Sequence, residues 1–132
     1  MEPIIFLDVE DVLLLHADTI DTDGGSHGLR DHGLLDAAVA MPRQQFGGQF
    51  LHEDLAAMAA AYLFHIAQNH PFVDGNKRTA FVVCRTFLLL NGHDLKASRA
   101  EKYFTIIKLA EGTLTEEEMA AWIRERLEAT SP

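Results

Sequence analysis

Cysteine is nearly missing from this chain, with one residue, Cys84, among 132. An internal disulfide is therefore excluded, and a sulfur-rich structural zinc site with it. Cys84 itself lies in an apolar run of helical spacing, which makes it a core residue rather than a nucleophile. Positive charge is scarce as well: 11 Lys and Arg face 20 Asp and Glu, a net charge of -9. Such a surface repels nucleic acid and anionic membranes, and neither is expected as a partner. The one basic patch, Lys77-Arg78, is too small for a duplex and suits a single bound polyphosphate. Long apolar runs are absent too. Residues 56–67 are interrupted by His65, and residues 80–90 carry Arg85 and fall short of the roughly 20 residues that a membrane span needs. The opening Met1-Glu2-Pro3-Ile4-Ile5 has no basic stretch ahead of a long apolar one, so no leader or transit peptide is expected, and the cytosol is the expected location.

What is present is apolar content of 48% in a chain of single-domain length, so one domain over residues 1–132 with a real core is expected. Its periodicity is helical. Asp8 reads as an N-cap for a helix with Val9, Val12, Leu13 and His16 on one stripe and Glu10 and Asp11 in its first turn, running to about Thr19. A glycine-rich loop follows over residues 21–28. Asp31 caps a shorter helix through Leu34, Leu35, Ala38 and Val39 that ends near Pro42. Within residues 42–51 the paired glycines of Phe46-Gly47-Gly48 suit the turn of a short hairpin flap.

Residues 54–69 are rich in Ala, Leu and Met with few charges, which predicts a central helix buried on nearly all sides and stopped by Pro71. A second buried helix starts near Gly75 or Asn76 and runs through Phe81, Val82, Val83, Phe87 and Leu88 to Asn91-Gly92. Two capping boxes, Ser98-x-x-Glu101 and Thr115-x-x-Glu118, mark two more helices, the first ending at Gly112 and the second carrying Trp122, Ile123 and Leu127. The class read from these signals is all-α, about six helices, with at most one short hairpin.

Chemistry concentrates between the two buried helices, in His70-Pro71-Phe72-Val73-Asp74-Gly75-Asn76-Lys77-Arg78. The N–H groups of a helix's opening turn lack intrahelical partners and carry the positive end of its dipole, so this connection is an anion site. Gly75 permits close approach of backbone to phosphate, and Asn76, Lys77 and Arg78 add an amide and two cations. Asp74 is the carboxylate that can hold Mg²⁺ together with phosphate oxygens and water. His70 is the side chain able to take a proton from an incoming hydroxyl. Singly, His70 reads as a surface histidine, Asp74 as a turn residue and Lys77-Arg78 as a solvated pair; their meeting at a helix N-terminus is what points to phosphoryl or nucleotidyl transfer. Pro71 and Phe72 read as helix stop and core anchor, and Thr79, Ala80 and Phe81 as packing. A P-loop is excluded by spacing. His65 and His70 face different ways and make no zinc pair, while His16, His27, His32, His52 and His93 read as surface or packing residues.

The motif His70-Pro71-Phe72-x-Asp74-Gly75-Asn76-Lys77-Arg78 resembles the signature of the Fic/Doc superfamily, and its details resemble the death-on-curing (Doc) branch. Further landmarks are similar: residues 6–12, Gly28-Leu29-Arg30-Asp31-x-Gly33-Leu34-Leu35-Asp36-x-Ala38, Phe46-Gly47-Gly48, and Leu89-x-Asn91-Gly92. The resemblance implies a compact all-α fold binding ATP and Mg²⁺ in this loop, with His70 as base, Asp74 as the Mg²⁺ carboxylate, Gly75, Asn76, Lys77 and Arg78 as phosphate cradle, and the flap docking a target protein. AMP-transferring Fic proteins typically have glycine where Lys77 stands and arginine where Phe81 stands. The pattern here instead implies a Doc-type toxin of a toxin-antitoxin pair, a kinase that transfers the γ-phosphate to a Ser or Thr of a translation factor, elongation factor Tu. AMP transfer and a non-catalytic binding member are the alternatives. A self-inhibitory [ST]-x-x-x-E-[GN] pattern is not met at Glu111-Gly112, where Ile107 occupies the hydroxyl position, so the resemblance implies inhibition in trans by a separate antitoxin.

Overall fold

The computed structural model describes residues 3–130; Met1 and Glu2, part of the segment read for a leader, lie outside the described residues, as do Ser131 and Pro132. In chain order the elements are α1 (Val9–Asp23), α2 (His32–Ala40), a 3-10 turn (Met41–Arg43), β1 (Gln45–Phe46), β2 (Gln49–Phe50), α3 (Leu55–Asn69), α4 (Asn76–Leu90), β3 (His93–Leu95), α5 (Arg99–Glu111), α6 (Glu116–Glu125) and β4 (Leu127–Ala129). Local capping explains most of these boundaries. Asp8, Ser98 and Thr115 each close a reciprocal capping box, with Asp11, Glu101 and Glu118 respectively, and Asp31 and Asp54 accept the N–H groups of Leu34 and Ala57. Each such cap is worth about 1 kcal/mol, enough to fix where a helix starts.

α3 is the axis of the fold, packed against α2, α4 and α6. Ala56, Ala59, Ala60 and Ala61 are fully or almost fully buried on it, and their small side chains let the neighbouring helices come close. Larger buried side chains, among them Leu63, Ile66, Val83, Phe87, Leu88, Met119 and Ile123, fill the remaining space. Burial of such a side chain stabilises the fold by roughly 1.5–3 kcal/mol. The segment ahead of α1 is tied to this core by Tyr62, whose buried hydroxyl accepts from Leu7 N at 2.9 Å and donates to Leu7 O at 3.0 Å. Cys84 is fully buried in the same core, and desolvation pushes its thiol pKa up to about 12. It is inert packing, as its sequence context predicts.

The flap is a hairpin: β1 pairs antiparallel with β2 around Gly47 and Gly48, both at positive φ (59° and 81°), the geometry that paired glycines supply. Three expectations need correction. α1 runs past Thr19 to Asp23, because no breaker intervenes before Gly24 and Ile20 is buried by the fold. Leu127 lies beyond α6, in β4 rather than on the helix. A second strand pair, β3 with β4, was not anticipated; it joins the residues after α4 to those after α6, with Leu95 opposite Leu127. Strands of three residues carry too little alternation to be read locally, and their pairing is set by the packing of the helices that precede them.

Candidate active site

The connection between α3 and α4 is held in one conformation from several directions. α3 is capped at its C-terminus by His70, whose φ of 50° is the only positive value at a non-glycine among the described residues. Such a conformation carries local strain of order 1–3 kcal/mol and persists where its surroundings impose it. Arg30 imposes it. Its Nε donates to His70 O at 2.6 Å and its Nη2 to Asn69 O at 2.9 Å, satisfying carbonyls that the helix end leaves free. Backbone contacts continue alongside: Arg30 N and Asp31 N donate to Pro71 O, and Val73 N to Gly28 O. The segment between α1 and α2 is thus a strap laid against the loop, and Phe72 anchors the loop from beneath at 1% exposure.

Asn76 organises the centre. Its Oδ1 accepts from Phe72 N at 2.8 Å, while its Nδ2 donates to Phe72 O at 3.0 Å and to His70 Nδ1 at 3.1 Å. The two Phe72 backbone groups fix which way the amide points, so His70 Nδ1 faces an N–H donor and acts as acceptor. The neutral ring in this arrangement carries its proton on Nε2. Asn76 is buried, whereas His70 is exposed at the mouth of the site.

Asp74 is restrained through both carboxylate oxygens. Oδ2 accepts from Ser26 N at 3.0 Å and Oδ1 from Gly75 N at 2.9 Å. The Ser26 N–H above all, then the Gly75 N–H and the nearby Arg78 charge, hold the carboxyl below the usual carboxylate range, so it is ionised at neutral pH. One donor per oxygen leaves lone pairs on both, which suits a hard cation such as Mg²⁺.

α4 begins at Gly75 with no capping side chain, while α1, α2, α3, α5 and α6 are all capped by Asp, Ser or Thr. Its opening N–H groups and the positive end of its dipole have no side-chain cap and are open to an external anion. Lys77 makes no ion pair among the described residues and lines the cleft as a cation on a flexible stem. Arg78 differs from the expectation of a free phosphate ligand: its Nη2 donates to Gly24 O at 3.1 Å, and its Nη1 lies 3.9 Å from Asp23 Oδ2, so the guanidinium also braces the strap.

All six predicted site residues, His70, Asp74, Gly75, Asn76, Lys77 and Arg78, line one cleft of about 290 Å³, closed on another side by Val73 and by Ile106 of α5. A larger cleft of about 570 Å³ at the far end of α4 is lined by Ile4, Ile5, Leu89 and Leu90 with Glu53 and Asp54, and it has no cation to receive a phosphate. Four other histidines stay outside the chemistry: His27 pairs with Asp21, His32 with Asp36, and His52 and His65 both lean on Glu116. No group of side chains among the described residues could hold a metal by three His, Cys, Asp or Glu ligands. A cation here would depend on Asp74 plus ligand oxygens. Sequence reading missed Arg30, Ser26 and His16 as parts of the site. Arg30 and Ser26 act from a loop far away in sequence, and Ser26 does so through its backbone, which leaves no side-chain signal.

The model of the Fic/DOC family matches residues 6–88. The chain is 47% identical over 92 residues to the Toxin Doc of Mycolicibacterium smegmatis, covering 70% of this chain and 68% of that protein. It is 34% identical over 83 residues to the Protein kinase doc of Escherichia phage P1, covering 63% of this chain and 65% of that protein. The matched stretch holds α1 through most of α4, and with them the strap, the flap and every lining residue of the cleft except Ile106.

Proposed function

This chain belongs to the Fic/DOC family, and from that premise we propose that it is a Doc-type toxin that transfers the γ-phosphate of ATP to a Ser or Thr hydroxyl of a translation factor of the elongation factor Tu kind. The observation that carries the reading is the bare N-terminus of α4, set beside Lys77 and an ionised Asp74. Asp74 would hold Mg²⁺, and the opening turn of α4 with Lys77 and Arg78 would receive the phosphates. When bound, ATP-Mg supplies the phosphoryl group and a charge-neutralised leaving oxygen. His70 stands at the mouth, where a protein hydroxyl would arrive, and removes its proton. Because Asn76 occupies Nδ1 and Nε2 carries the proton, base action needs either the ring to turn about Cβ–Cγ, which frees Nδ1, or the proton to leave Nε2, when substrates bind. Catalytic hydrogen bonds commonly settle only in the complex.

Position 81 favours phosphorylation over AMP transfer. Phe81 is 8% exposed and belongs to the core, so nothing at that position offers a donor to the terminal phosphates. The name of the relative from Escherichia phage P1, a protein kinase, supports this reading. A separate antitoxin is the expected inhibitor, since Ile107 leaves the self-inhibitory pattern unmet. The test is transfer from γ-labelled and α-labelled ATP to purified elongation factor Tu and to lysate proteins. Label is expected from the γ position, and protein label from the α position alone would overturn the kinase reading in favour of AMP transfer. Loss of growth arrest in a folded His70→Ala protein would exclude a purely binding role.

A further inference from the structure

His16 lies far from the motif in sequence, yet it is buried at 4% exposure directly under the loop. Its ring stacks on Phe72 with centroids 3.7 Å apart and planes only 4° from parallel. Its Nε2 lies 2.8 Å from the backbone oxygen of Asp74. A carbonyl oxygen can only accept, so Nε2 carries the proton and donates. We propose that His16 is a positioning residue that sets the Asp74 carboxylate by locking the peptide plane between Asp74 and Gly75.

The geometry of that plane makes the link. In a trans peptide the carbonyl oxygen and the following N–H point in opposite directions. His16 holds Asp74 O on the core side, so Gly75 N–H is aimed at the other side, where it donates to Asp74 Oδ1 at 2.9 Å. One bond beneath the loop thereby fixes a carboxylate oxygen above it. The lock is needed because the next residue is glycine, at a φ of 74°, and a peptide ahead of glycine turns over with little steric resistance. If the plane turned over, Gly75 N–H would leave the carboxylate and point away from the anion site. Stacking on Phe72 does a different job, holding the loop at its height above α1.

These two jobs separate by substitution. His16→Phe keeps an aromatic ring over Phe72 and removes the donor, whereas His16→Gln keeps an N–H near the Nε2 position and removes the ring. The proposal rests on Asp74 as the metal carboxylate only in its functional consequence, so the experiment has a ligand-free readout. Backbone amide exchange by NMR is expected to show Gly75 N–H protected in the wild type and in His16→Gln, and at least tenfold less protected in His16→Phe while core amides keep their rates. Mn²⁺ titration in the presence of ATP, followed by paramagnetic resonance, is expected to show about tenfold weaker binding for His16→Phe and near wild-type binding for His16→Gln. Unchanged Gly75 protection in His16→Phe would overturn the proposal, and so would equal losses in both variants that follow thermal stability. A wild-type protein that binds no Mn²⁺-ATP would sink the functional reading of Asp74 and leave the amide exchange to decide the role of His16.

Discussion

The Asn76 amide spans His70 and Phe72, donating to the imidazole at 3.1 Å while its own orientation is fixed by the N–H and C=O of Phe72. A side chain at the start of α4 thus determines the proton arrangement of a side chain at the end of α3. This follows from the amide being buried and pinned on both faces, so the exposed histidine has to match it.

In the ligand-free protein the neutral form of His70 is accordingly expected to carry its proton on Nε2, and ¹⁵N chemical shifts of the imidazole read this directly. Asn76→Ala removes the constraint and two loop hydrogen bonds. We expect stability to fall by about 1–3 kcal/mol and the tautomers to equalise. A proton found on Nδ1 in the wild type would sink the assignment of the Asn76 amide.

Arg30 should matter for activity beyond its effect on stability. Arg30→Ala releases the carbonyls of Asn69 and His70 and with them the left-handed turn at His70. Exposed carbonyls can turn to water, so a loss of only about 1 kcal/mol is expected. Transfer activity should drop at least tenfold, since misplacement of a reacting group by about 1 Å can cost far more than binding energy suggests. Arg30→Lys should not rescue, because it lacks the fork that reaches both oxygens. Full activity in Arg30→Lys would refute the clamp.

Gly25 is a second point of sensitivity. A Cβ there would stand 2.7 Å from Asp74 Oδ2 and 3.3 Å from Arg78 Nη2, at a φ of 116° that side chains avoid. Gly25→Ala should weaken Mg²⁺-dependent ATP binding at least tenfold. By contrast Gly24→Ala, where a Cβ meets nothing within 4 Å, should leave ATP binding nearer to wild type, its own φ of 88° costing stability instead. Calorimetric titration of both variants compares the two effects.

Acid should loosen the packing of α6 and β3 against the rest. Asp54, Asp94 and Glu101 are held below their ordinary values first by hydrogen bonds from Arg124, Arg85 and Arg126 respectively. A carboxylate whose folded value lies below its unfolded one stabilises the fold at all pH above the unfolded value, and that contribution disappears as pH falls through the folded value. Thermal melts should therefore be steady from about pH 7 to about pH 5 and fall steeply below about pH 4. Arg124→Gln is expected to flatten part of that fall. An identical acid limb in the variant would show that the Asp54 pair contributes nothing to it.

Much of the fold was legible from short-range signals. Asp8, Asp31, Ser98 and Thr115 cap the helices predicted from them, because capping is a contact between residues three apart and is written in the sequence itself. The end of α1 was misplaced because local signals are silent between Thr19 and Gly24; the burial of Ile20, a tertiary fact, carries the helix on. The β3–β4 pair was invisible for the same reason, being a contact between residues more than thirty positions apart.

The site divides along the same line. His70, Asp74, Gly75, Asn76, Lys77 and Arg78 were identifiable because a helix end, a loop and a helix start lie consecutively in the chain, and their chemistry follows from residue type and order. Only the folded structure brings Arg30, Ser26 and His16 to that loop, by packing α1 and its following strap against the α3–α4 connection. Only it binds Arg78 to the strap and seals Phe81 into the core. The sequence by itself determined which groups stand together between α3 and α4. Tertiary structure decided how each is aimed, because orientation depends on partners whose separation along the chain no local pattern encodes.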